Sequence, residues 1–147
     1  MRRMVLAAAA ALACAPLAAA RAQQQQVFDS GWRQVAADAL TDLELSGAGV
    51  RVNNLLVTPE QGAAGKQIAQ HVFSASAVKR VSGKRGARVE IVGVDAEGKP
   101  TIVSVVAVNF YQEQPNATSN DTHRFLAFPA EVAATKGYWV RMVVVPQ

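Results

Sequence analysis

The sequence predicts an all-β protein, an antiparallel β-sandwich, on three observations. Apolar and polar residues alternate in short runs, as in Arg88-Val89-Glu90-Ile91. That period of two turns one face of a strand inward and the other outward. Turn-forming residues punctuate the runs at short intervals, among them Pro59, Gly62, Gly83, Gly98, Pro115 and Gly137. A single stretch, near the N-terminus, has helical spacing. The 147 residues are 50% apolar and 18% charged, which excludes a disordered chain. One Cys and two His exclude a disulfide framework and a Cys- or His-rich structural zinc site.

The first 22 residues read as an export signal rather than as part of the fold. Met1-Arg2-Arg3 is a positive start, Val5 to Ala13 is an unbroken apolar run, and Pro16 follows. The run is shorter than the roughly 20 residues that span a bilayer. Ala20-Arg21-Ala22 has the small-x-small pattern of a cleavage site, which places the cut near Ala22 and the protein in the periplasm or outside the cell. Two other readings stay open. Ala11-Leu12-Ala13-Cys14 resembles a lipobox, and acylation of Cys14 would make a membrane-anchored lipoprotein. Arg2-Arg3 resembles a twin-arginine signal in place of a general secretory one. The organisation expected is therefore a signal peptide over 1–22, a flexible leader over 23–30 and one sandwich domain over 31–147.

Removing the signal leaves 12 basic residues against 11 acidic ones. The basic balance of the whole chain is thus no sign of nucleic-acid binding.

Element by element, the helical candidate comes first. Trp32, Val35, Ala36, Ala39, Leu40 and Leu43 recur at three- and four-residue steps, with Asp29 or Ser30 as a cap. An extended lead-in is the alternative for residues 32–43, because Leu43 and Leu45 alternate. Strands are expected at Val50 to Thr58, Ile68 to Val78 and Arg88 to Val94. Asp95-Ala96-Glu97-Gly98 has the Asp and Gly of a type I turn, with Gly98 left-handed at a hairpin bulge. Thr101 to Phe110 is apolar on both faces, which predicts a central strand covered on both sides. His123 to Phe128 and Tyr138 to Val145 complete the set.

Leu56-Val57-Thr58-Pro59, Gly65, the small-residue strand after it, and Val89 to Val94 with Gly98-Lys99 resemble bacterial immunoglobulin-like domains of the cell-adhesion-related, CARDB-like group. The resemblance covers residues 42–110. Ser76-Ala77-Val78 stands where that group shows Asn-x-Gly. The resemblance implies an immunoglobulin-like sandwich with an extracytoplasmic adhesion or scaffolding role.

Little in the chain points to catalysis. His71 and His123 are far apart in sequence, and a metal site would need both with Asp121 or Glu131. No nucleophile-elbow motif is present, and Ser82-Gly83-Lys84-Arg85-Gly86 lacks the spacing of a phosphate loop. The sequons at Asn116 and Asn120 read as polar loop residues.

The basic segment is different. Lys79, Arg80, Lys84, Arg85 and Arg88 fall within ten positions that hold no acid. They predict an exposed basic loop able to contact an anionic envelope polymer or an acidic protein partner. No aromatic interleaves them, which argues against single-stranded nucleic acid. The function expected is a non-enzymatic binding or structural protein of the bacterial envelope, without cofactor or metal. The alternatives are a subunit of a surface assembly, with Val143-Val144-Val145 as the pairing strand, and a small periplasmic enzyme using His71 and His123. A membrane is a partner only if Cys14 is lipidated.

Overall fold

Two antiparallel sheets enclose one apolar core, as the alternation predicts. The structure, a computed structural model, describes residues 26–62, 65 and 67–147. The expected signal, Cys14 and the start of the leader lie outside the described residues. The strands are β1 (Phe28–Asp29), β2 (Arg33–Ala36), β3 (Leu45–Gly47), β4 (Val50–Pro59), β5 (Ala69–Lys79), β6 (Arg85–Val94), β7 (Pro100–Phe110), β8 (Ala117–Ala127) and β9 (Gly137–Pro146). A short helix, α1 (Pro129–Ala134), begins on Pro129. One sheet runs β9-β6-β7, with β1 and β2 both paired to the free side of β9; the other runs β3-β4-β5-β8.

The core is built by every second residue. Phe73, Ala75 and Ala77 of β5 face Val89 and Ile91 of β6 and Val140, Met142 and Val144 of β9 across the interior, all buried. In β4 the alternation would bury Asn54 after Val50 and Val52. A bulge between Asn53 and Leu56 inserts one residue, with Asn54 left-handed at φ 51°, so Leu55 is buried instead. The turn after β6 forms as its chemistry requires. Asp95 Oδ1 accepts from the Glu97 and Lys99 amides, and Gly98 is left-handed at φ 79°.

Three expectations are corrected. Residues 32–43 are not a helix: Arg33–Ala36 pair with Val140–Gly137 of β9, and only one 3₁₀ turn, Ala37–Ala39, follows. Pairing to β9 satisfies the backbone there, and the apolar spacing is met by Val35 and Leu40 packing on the core. The leader is ordered at its end, since Phe28 and Asp29 pair with Val144 and Val143. Thr101 to Phe110 is an edge strand, not a central one. Ile102, Val106 and Val108 point inward, while Val103 is 70% exposed. An apolar outer face marks burial only when another layer covers it, and apolar surface is common on folded proteins.

The segment from β1 to β2 acts as a strap over β9. Arg141 donates from Nε and Nη2 to the two Asp29 oxygens at 3.0 and 2.6 Å, and its guanidinium lies 5.8 Å from the Trp32 ring centroid. The Met142 amide donates to Ser30 Oγ at 2.8 Å, and the Ser30 amide donates back to the Met142 carbonyl at 2.9 Å. Phe28 then ties the two sheets together. Its ring lies so close over Gly47 of β3 that a Cβ there would sit 2.0 Å from Phe28 Cε1.

Two outcomes follow from the strap. Gly47→Ala must move the Phe28 ring, so denaturant unfolding of this variant should show a loss of about 1–3 kcal/mol, the usual cost of overpacking. An unchanged midpoint would mean that Phe28 does not seat there. The Arg141 hydrogen bonds, with the Gly31 amide second, hold the Asp29 carboxyl below its ordinary value. A depressed carboxyl stabilises the fold above its unfolded pKa, and that contribution is lost as pH falls through the folded value. Amide protection factors over 28–36, which are corrected for the intrinsic exchange rate at each pH, should therefore fall as pH drops below the usual carboxylate range, more than in the other strands. Asp29→Asn should already show low protection at neutral pH and lose that pH dependence of the protection factors.

Candidate anion-binding cleft

At one end of the sandwich the β3–β4 turn, the β5–β6 loop, the β7–β8 loop and the end of β9 meet. Ala48 and Gly49 join β3 to β4 with φ of 47° and 77°, both left-handed, as a tight two-residue hairpin requires. Gly49 also leaves room for Val81, whose Cγ1 would be 2.4 Å from a Cβ at that position. The Arg80 amide donates to the Gly49 carbonyl at 2.7 Å, and the Gly83 amide donates to the Glu113 carbonyl at 2.8 Å.

Lys79 organises this end. The alternation of β5 turns residues 69, 71, 73, 75, 77 and 79 inward, so the last of them is a lysine with no exposed surface. Its Nζ donates to the Gly83 carbonyl at 2.7 Å and to the Gln112 carbonyl. These bonds staple the β5–β6 loop to the β7–β8 loop. Among the described residues no carboxylate forms an ion pair with it. Its Nζ is thus held by neutral carbonyl acceptors and by no opposing charge among the described residues.

The five basic residues of the expected exposed loop therefore go to four places, which corrects that expectation. Lys79 is inside the core end. Arg80 points to Asn116, donating to its Oδ1 at 3.1 Å. Arg88 lies on the outer face of β6 and pairs with Glu90 at 2.8 Å. Only Lys84 and Arg85 come together, in a cleft of about 670 Å³ with Ser82, Gly83, Glu113 and Gln147. Arg85 Nη1 donates to the Lys84 carbonyl at 2.8 Å, which fixes the guanidinium beside the loop. A second cleft of about 650 Å³ opens between the sheets and shares Val27, Arg85 and Pro146 with the first. Sequence reasoning missed Val27, Pro146 and Gln147, which reach the cleft from the strap and the end of β9.

The histidines stand on paired strands, β5 and β8, in different surroundings. His71 is buried, with Nδ1 3.1 Å from the Ala69 carbonyl and its ring 5.9 Å from that of Phe125. His123 is exposed in the middle of β8, opposite Phe73 and not at a strand entry. Among the described residues no three His, Cys, Asp or Glu side chains are placed to hold a metal ion. Val143–Val145, expected as a free pairing strand, lies inside the sheet: Val143 and Val144 have β6 on one side and β1 on the other, and Val145 pairs with Gly86. No described helix is long and apolar enough to cross a membrane.

No family model matches the chain, and no curated protein matches it. Among solved structures it is similar to the enzymatically active domain of tailspike protein 4 of bacteriophage CBA120. That likeness has 12% identity and a TM-score of 0.27, over 84% of this chain and 17% of the tailspike chain.

The staple is testable by itself. Lys79→Met keeps the aliphatic stem but leaves the Gly83 and Gln112 carbonyls without their donor. Thermal or urea unfolding should show a loss of about 1–3 kcal/mol, the penalty of an unsatisfied buried polar group. Amide exchange should rise in 80–84 and 111–116 and stay unchanged in the strap. A variant as stable as the parent would show that the ammonium contributes nothing net.

Proposed function

We propose that the chain is an exported, non-enzymatic binding protein of the bacterial envelope that takes an anionic polymer or acidic partner at the Lys84–Arg85 cleft. One observation carries the reading. Two cations line a concave surface, and a third basic side chain, Lys79, lies directly behind its wall with no carboxylate paired to it among the described residues. Among the described residues Glu113 is the one acid lining that cleft. The other nearby acid, Asp29, is engaged by Arg141. Concave walls of low dielectric strengthen such a field, and within a Debye length of about 8 Å the near-neutral remainder of the protein does not cancel it. Export, with the signal over 1–22 removed, brings the cleft to the phosphates and carboxylates of envelope polymers.

Retention on immobilised long-chain polyphosphate and on isolated envelopes measures this. Wild-type protein should be held at low salt and released steeply as salt rises. Lys84→Gln with Arg85→Gln should lower both the affinity and the salt sensitivity, with stability changed by less than about 0.5 kcal/mol, as for other accessible positions. Equal retention of the double variant at low salt would refute the assignment.

A further inference from the structure

The two clefts at the basic end differ in chemistry, and Arg85 stands between them. The Lys84 side is polar, walled by Ser82, Gly83, Glu113 and Gln147. The side between the sheets is walled by Val27, Phe28, Ala48, Val81 and Val144, with Pro146 at the boundary. Its polar lining is Gln26, Asp29 and the boundary Arg85, and the two charged groups among these are already engaged. Asp29 holds Arg141, and the Arg85 guanidinium is directed to the Lys84 carbonyl at the boundary with the polar side. Its shape is set by the fold. Phe28 lies against Gly47 and Val81 against Gly49, so both side chains are seated on the glycines. Each cleft lies within the range of about 300–1,000 Å³ that small-molecule sites occupy.

We infer that this pair of clefts is one site for a single-chain anionic amphiphile. Its phosphate or carboxylate head sits at Lys84 and Arg85, and its aliphatic chain lies in the lobe between the sheets. The inference rests on the anion-binding reading above and adds the ligand class. A purely hydrophilic anion would leave the apolar lobe wet. A neutral hydrocarbon would leave Arg85 and Lys84 without a counter-charge. Only a molecule with both parts matches both walls, because apolar burial and charge pairing are then gained together.

The experiment is calorimetric titration of the chain with butyl, hexyl and octyl phosphate, each kept monomeric, beside inorganic phosphate. Affinity should rise by about two- to fourfold per added methylene, as expected for partial to full burial of each group. Lys84→Gln with Arg85→Gln should weaken all the alkyl phosphates. Val27 is 55% exposed, so Val27→Ser is tolerated by the fold. That variant should cut the octyl-to-butyl affinity ratio at least twofold. Equal affinity for butyl and octyl phosphate would overturn the amphiphile inference and leave the anion reading standing. Loss of polyphosphate retention in the parent protein would instead remove the reading beneath it. Binding to phosphatidylglycerol vesicles with no binding of monomeric octyl phosphate would mean adsorption to a surface, which also overturns the inference.

Discussion

The uncovered side of β9 is the constraint on which the rest of the molecule depends. β9, the last strand in chain order, is buried through Val140, Met142 and Val144, yet β6 pairs with only one of its edges. A bare apolar edge of ten residues would be an invitation to association. The strap from Phe28 to Ala36 closes it in two short pieces, with Gly31 left-handed between them. Charge and ring contacts at Asp29, Arg141 and Trp32 hold the interruption in place. Once the strap is fixed, Phe28 reaches across to Gly47 and joins the sheets, and Val27 becomes a wall shared by both clefts.

Lys79 provides the second fixed point, at the same end of the sandwich. A strand that buries every second residue has no exemption for its last one, and β5 ends on an inward lysine. The ammonium can be accommodated because two loop carbonyls lie within its reach. The loops are thereby closed over the core, and a positive charge is left just under the surface that Lys84 and Arg85 line. Fold stability and the electrostatics of the cleft thus share one side chain. The strap and the staple act on separate elements, so each can be loosened without the other.

Legibility from sequence followed the range of the interaction. β6 and its turn at Asp95–Gly98 were readable because a period of two and an Asp-to-amide turn are local facts. The bulge at Asn53–Asn54 and the two-residue Ala48–Gly49 turn were not, since Ala is an uncommon choice for a left-handed turn position. Helical spacing at Trp32 to Leu43 misled because the backbone bonds of Arg33–Ala36 are made to β9, more than a hundred residues away. Thr101 to Phe110 misled because alternation reports which residues share a face, not what covers it. In the cleft, Lys84 and Arg85 were visible as charge. The burial of Lys79 followed from the phase of β5, which the weak pattern of Ala and Ser left open. Val27 and Gln147 carry no local signal, because their role comes from where the ends of the fold converge.

We propose that the strap, the Lys79 staple and the basic loop together build one ligand site at one end of the sandwich. Mapping by two-dimensional amide NMR during titration with octyl phosphate tests it most directly. The account predicts that shifts cluster at Val27, Ala48, Val81 to Arg85 and Val145 to Gln147. The opposite end, around α1 and the Asp95–Gly98 turn, should stay silent. Shifts centred on that opposite end, or spread evenly over the surface, would contradict it.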